Sequence, residues 1–329
     1  MDDPLICVRA IHFAATLTAA GVVFFIVLVA APAFRQVGAN STVPIIVRAT
    51  FKWIAWLGLL LTVLSGAAWF VLVAQSMSDR VLADVFSEGI PWTVLSDTGF
   101  GHVWLARFAL ACLLAGLFVP FLSAQGGRSM WLKIVVGAAA AAGLAGALAF
   151  AGHAVGASGS EGLIHPAADA LHLVAAAAWV GTLLPLALLL RAAGHEAASV
   201  DIARAATLRL STLGIVCVGA LLLTGTINTL YLAVSIAALT ETDYGRLLVI
   251  KIALFFGMVV IATINRLWLT PRLVQDANAA ARDVLRRLRR NTLVEVAAGA
   301  LIIAIVAVLG VSPPGHMMEM RSHAHHHSH

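Results

Sequence analysis

Residues 169–190 read DALHLVAAAAWVGTLLPLALLL, with one aspartate and one histidine and nothing else that titrates before Arg191. A helix crosses the hydrocarbon of a bilayer in about 20 residues, and this run is long enough. It lacks the period-two alternation of a barrel strand, so a helix is the structure that satisfies its backbone in lipid. An imidazole in such a segment is costly unless something compensates. The number of such segments decides the fold, and the purpose of His172 decides the function.

Across 329 residues the hydrophobic share is 61% and the mean hydropathy is +0.96, which excludes an ordinary soluble domain. Apolar runs of spanning length occur at about 5–30, 53–75, 102–123, 131–152, 167–190, 211–236, 247–269 and 292–311. The pattern predicts an all-α polytopic membrane protein with eight transmembrane helices. Charged residues cluster between the runs, so the basic balance belongs to loops facing lipid headgroups, and no nucleic-acid motif is present. Cys7, Cys112 and Cys217 have no paired spacing and read as buried structural thiols.

Lysine and arginine gather after the odd-numbered runs: Arg35, Arg48 and Lys52; Arg128 and Lys133; Arg191, Arg204 and Arg209; then Arg272, Arg282, Arg286, Arg287, Arg289 and Arg290. The positive-inside rule makes these linkers cytoplasmic and turns both termini outward. Asp2 and Asp3, with the long run behind them, argue against a cleaved signal peptide. The segment RLVQDANAAARDVLRRLRR from Arg272 places Leu273, Ala277, Ala281, Val284 and Leu288 on one face and predicts an interfacial helix on anionic lipid. In the linker 76–101, Val81, Leu82, Val85, Phe86 and Trp92 are expected to rest on the membrane surface.

RAIHFAATLTAAG, starting at Arg9, aligns with DALHLVAAAAWVG, starting at Asp169, so that His12 meets His172 and Gly21 meets Gly181. TGFGHVWLAR from Thr98 aligns with TDYGRLLVIK from Thr242, and FAGH ending at His153 aligns with PPGH ending at His316. These landmarks recur in order at offsets of roughly 145 to 163 residues. They predict two parallel four-helix repeats, residues 1–154 and 155–316, related by an axis along the membrane normal, followed by a Met/His-rich extracytoplasmic tail, 317–329.

By this topology every histidine except His195 lies on or near the outer side. Imidazole is the commonest metal ligand and binds in its neutral form. The candidate ligands are His12, His172, His153, His316, His165 and His102, with Asp169, one turn before His172, either orienting that ring or ligating directly. The tail GHMMEMRSHAHHHSH adds the thioethers of Met317, Met318 and Met320, which suit Cu(I), and His323, His325, His326, His327 and His329, which suit either copper state. A disordered tail or an expression tag is the bland alternative. Arg107 and Lys251, at matched positions, either snorkel outward or hold an anionic group such as Asp97, Asp243 or part of a ligand. Glu295, close to arginines, reads as a structural ion pair, and Asn228 as lining a polar path or bonding a neighbouring helix.

LHLVAAAAWVGTLLPL, TDYGRLLVIKIALFFGMVVIATINRLWLTP and LVEVAAGALIIAIVAVLGVSPPGH, with Tyr244, Gly245, Lys251, Asn265 and Arg266 in their pattern, resemble the CopD family of bacterial inner-membrane copper resistance or uptake proteins. The resemblance covers most of the second half and, through the repeat, the first half more loosely. It implies copper, as Cu(I) or Cu(II), an inner-membrane location, and a small periplasmic carrier of the CopC type as partner. The leading expectation is capture of copper at the outer face by the tail and by His153, His165 and His316, then passage to His12, His172 and Asp169. One alternative is a b-type cytochrome with His12 and His172 as axial haem ligands. Another is a membrane anchor that docks a metal carrier without binding metal in its spans. No GxSxG, HExxH or P-loop pattern is present, so enzyme chemistry is not expected.

Overall fold

Each apolar run closes its backbone hydrogen bonds on itself, as lipid requires, and the resulting helices order the whole chain. The structure is a computed structural model that describes residues 4–37, 43–78, 82–121, 128–151, 161–194, 200–232, 242–275 and 279–312. His153, His195, His316 and the tail 317–329 lie outside the described residues. Among those described there is no strand, and eight stretches are long and apolar enough to cross a membrane, from Pro4–Gln36 at the start to Ala281–Leu309 at the end.

In the first half, α1 (Pro4–Phe24) continues through a π turn, Phe25–Ala30, into Ala31–Val37. After it come α2 (Val43–Ser78), the short α3 (Leu82–Ser87) and α4 (Ile90–Asp97), α5 (Gly99–Phe121) and α6 (Arg128–Gly146). In the second half, α7 (Glu161–Ala193) and α8 (Val200–Leu232) precede α9 (Asp243–Ile264), which runs through a π turn at Asn265–Leu269 into Thr270–Gln275. The last helix is α10 (Ala279–Leu309).

Local chemistry sets several of these boundaries. Thr98 and Thr242 each accept the backbone N–H three residues on, from Gly101 and Gly245, both at 2.9 Å, so α5 and α9 start with the same side-chain cap. Gly89, at φ 69°, supplies the left-handed residue that turns α3 into α4. Those two short helices bury Val85 and Val94 and turn Phe86 and Trp92 outward. The arginine-rich segment departs from expectation. It forms the first turns of α10, continuous with the final span, and Ala281, Val284 and Leu288 are buried against protein along with Leu273. The stripe that looked lipid-facing is a core face, and the arginines occupy its solvent side.

The two most buried spans are those of α1 and α7, and they cross where Gly21 meets Gly181. A methyl group added at Gly21 would run into the Gly181 backbone, and one at Gly181 into the carbonyl of Leu17. Only residues without a side chain allow this approach. Arg9 lies against Gly310 and Val180 against Gly299, so α10 runs antiparallel to both α1 and α7, and these two are parallel. His12 and His172, each nine residues before its crossing glycine, therefore share one end of the bundle, here the histidine end. Arg266, Arg272 and the arginines of α10 mark the other, the arginine end.

Candidate functional site

His12 is 1% exposed, and its ring is held on every side. Trp69 meets it edge-on with centroids 5.4 Å apart, and Trp104 lies at 5.5 Å. Gly66 on α2 makes room for the ring: a Cβ there would sit 3.2 Å from His12 Cε1 and 2.9 Å from the Trp104 ring. Arg107 on α5 donates a hydrogen bond to His12 Nε2. A guanidinium can only donate, so that nitrogen is the acceptor and Nδ1 carries the proton. Nδ1–H in turn donates to Ser65 Oγ at 3.0 Å, and the Ser65 hydroxyl donates a hydrogen bond to the Leu61 carbonyl. Both ring nitrogens are therefore hydrogen-bonded, Nε2 to Arg107 and Nδ1 to Ser65.

The charged side chains packed around the His12 cluster are both cations. Arg107 is 2% exposed and stacks 4.4 Å from the Trp104 centroid, while Arg9 lies 4.8 Å from that of Trp69. The Nε of Arg9, Nε and Nη1 of Arg107, and both indole nitrogens are buried without hydrogen-bond partners among the described residues. The surroundings are rich in donors and carry two cations.

His172 sits in an equivalent frame. Its Nδ1 lies 2.9 Å from Thr224 Oγ1 on α8, and Thr224 donates to the Ala220 carbonyl at 2.6 Å. Thr224 is thus the acceptor, Nδ1 holds the proton, and the Nε2 lone pair takes no hydrogen bond among the described residues. Gly225 gives the ring its space: a Cβ there would lie 3.5 Å from His172 Cε1. One turn before the histidine, Asp169 accepts from Asn228 Nδ2 at 3.2 Å. Lys251 on α9 lies within electrostatic reach of both Asp169 and His172, as does His165 of Asp169.

The two halves therefore place matched positions alike and charge them differently. Arg9 and Trp69 in the first half occupy the places of Asp169 and Asn228 in the second, and Arg107 that of Lys251. Two cations surround His12, whereas one cation and one carboxylate surround His172. The histidines face different helices, His12 toward α2 and α5, His172 toward α8 and α9. His102 is exposed, with Nε2 donating to the Ser96 carbonyl at 2.9 Å. Among the described residues no three His, Cys, Asp or Glu side chains gather as a metal cluster. His153, His316, Met317, Met318, Met320, His323, His325, His326, His327 and His329 fall outside them.

The ring partners Ser65, Thr224, Gly66 and Gly225 went unnoticed in the sequence. Their signal is a matched tripeptide, LSG at 64–66 and LTG at 223–225. Glu295 corrects an expectation: it is 2% exposed, its partner is the Asn265 amide at 3.3 Å, and no arginine among the described residues pairs with it.

Residues 204–309 match the family profile described as Copper resistance protein D, and residues 1–165 match Copper resistance protein D-like, N-terminal domain. The chain is 31% identical over 320 residues to Copper resistance protein D of Pseudomonas syringae pv. tomato, covering 95% of this chain and 98% of that one. It is 30% identical over 237 residues to Inner membrane protein YebZ of Escherichia coli K12, covering 70% and 74%. No solved structure matches it.

Proposed function

The chain belongs to the copper resistance protein D family, and from that premise we propose that it is a copper-binding protein of the bacterial inner membrane that captures copper at the periplasmic face and passes it inward. Its histidine end and both termini face the periplasm, and its arginine end the cytoplasm, in keeping with the positive-inside rule. Copper is cargo, delivered by a small periplasmic carrier and gathered by the tail.

One observation carries the reading. Of the two embedded histidines, only His172 presents an uncommitted Nε2 lone pair beside a carboxylate. The Thr224 hydroxyl fixes the tautomer that a metal ligand needs, and Asp169 supplies the negative charge that a cation needs at this depth. A nitrogen and oxygen donor set favours the divalent ion. His12 has the wrong surroundings for the same task, because Arg107 occupies its lone pair and Arg9 adds a second positive charge. The protein binds and transfers; no catalytic step is assigned to it.

The test is Cu(II) titration of the purified chain, its tail histidines His323, His325, His326, His327 and His329 changed to alanine, with and without His172→Ala or His12→Ala. Loss of a ligand at His172 is expected to weaken binding by on the order of 100-fold, with His12→Ala within about threefold of the unmodified protein. Equal losses from the two substitutions would overturn the assignment to His172. An absorption spectrum with a Soret band would favour the cytochrome alternative.

A further inference from the structure

At the arginine end of the second half, α7, α8, α9 and α10 surround a half-open cavity of about 270 Å³. Its back wall is buried and apolar, made of Trp179, Leu183, Leu186 and Leu190 on α7 and Leu288 on α10. The polar groups of the lining are already satisfied. The hydroxyls of Thr207, Thr263, Thr270 and Thr292 donate to carbonyls of their own helices at 2.7 to 2.9 Å. Glu295 adds no open oxygen, since Oε1 is buried and Oε2 accepts from Asn265 Nδ2 at 3.3 Å. An apolar cavity of about 150 Å³ already stays dry and takes an apolar guest, and this one is larger.

One charge reaches the cavity from its rim. Arg266 lines it and is exposed. One guanidinium N–H donates to Ser211 Oγ at 2.8 Å, which fixes the group, and the others take no partner among the described residues. Beside it Leu267 and Trp268 are 60% and 65% exposed, a flank of the kind found where a span meets the membrane interface.

The mouth faces lipid. Along Asp243–Ile264, α9 scarcely touches α8, and the lining residues Ile215 on α8 and Thr263 and Arg266 on α9 are exposed. A gap between two spans opens sideways into the bilayer. On α7 the lining runs from Trp179 to Leu190, about 16 Å at 1.5 Å per residue. One leaflet of hydrocarbon is about 15 Å deep, so the cavity has the length of a single leaflet.

We propose that this cavity is a lipid site, filled by one acyl chain of an anionic phospholipid that enters between α8 and α9, with its phosphate paired to Arg266. A guanidinium held through one N–H presents the rest to phosphate oxygens as a planar fork. Basic positions between spans on the cytoplasmic side suit anionic headgroups. The acyl chain occupies space that the four helices leave unpacked, so the lipid completes the second half. This site requires only that the chain spans a bilayer, and nothing in it depends on copper.

Native mass spectrometry of the purified full chain tests the site, with phosphatidylglycerol, phosphatidylcholine and inorganic phosphate as probes. The unmodified protein is expected to hold one phosphatidylglycerol about fivefold more tightly than phosphatidylcholine. Arg266→Gln should erase that preference, while Arg286→Gln, at an exposed position on α10, should keep it. Ile215→Trp closes the mouth from an exposed position, outside the core, and should weaken both lipids by about fivefold or more. Inorganic phosphate in excess should displace neither. Equal affinity for the two lipids in the unmodified protein, equal losses from Arg266→Gln and Arg286→Gln, full binding in Ile215→Trp, or displacement by inorganic phosphate would each overturn the site.

Discussion

At the scale of single residues, the two embedded histidines differ chiefly in the charges around them. His12 and His172 share a hydroxyl on the next helix, a glycine that admits the ring and a basic residue on a third helix, yet their electrostatic surroundings differ. The histidines were legible in the sequence because an imidazole in an apolar run has to be explained. Their hydroxyl and glycine partners were not, since LSG and LTG are too short to stand out in alanine- and leucine-rich helices. Nor could the sequence reveal that Arg107 caps Nε2 of His12, a contact made across 95 residues. Lys251 supplies a prediction at this scale. Its positive charge competes with an arriving cation for Asp169, so Lys251→Met is expected to tighten Cu(II) binding about tenfold. Titration of that variant, with unchanged or weaker affinity, would refute the competition.

At the scale of elements, eight spans could be read from composition because lipid leaves the backbone few options. Boundaries were less legible. The arginine-rich segment looked like a separate surface helix because its apolar stripe has the same spacing whether it meets lipid or protein. Burial of Val284, Leu285 and Leu288 shows that it meets protein. Glu295 was misjudged for a related reason: nearness to arginines in sequence says nothing about which way α10 turns them. The crossing of α1 and α7 gives the prediction here. Gly181→Ala must push the helices apart, and overpacking of this kind costs about 2 kcal/mol. Gly219→Ala, where nothing lies near an added methyl, is the control. Unfolding in mixed micelles should show the first destabilised and the second not, and equal behaviour would mean that the crossing is looser than described.

On the scale of the whole molecule, the second half is polar at both ends and apolar between them. Asp169, His172, Thr224 and Asn228 occupy the histidine end, and Asn265, Asn291, Thr292 and Glu295 the arginine end. This profile was half visible in the sequence, where the histidines, Asn228 and Asn265 stood out and Asn291 and Thr292 did not. The orientation of the chain in the membrane is open to direct test. In cells producing a cysteine-free variant, a membrane-impermeant thiol reagent is expected to label Glu88→Cys from outside, and Arg286→Cys only after permeabilisation. The reverse pattern would invert the proposed direction of capture.

The Gly21–Gly181 contact carries one more consequence. Each histidine stands nine residues from it, a lever arm of about 13 Å at 1.5 Å per residue. With backbone resting directly on backbone, the crossing acts as a fulcrum with no cushion of side chains to absorb motion. Tilting one helix against the other by about 10° swings a histidine through roughly 2 Å, enough to part an imidazole nitrogen from its partner. The outer ends of α1 and α7 are thus geared together at this contact, so that a tilt there displaces His12 and His172 relative to each other.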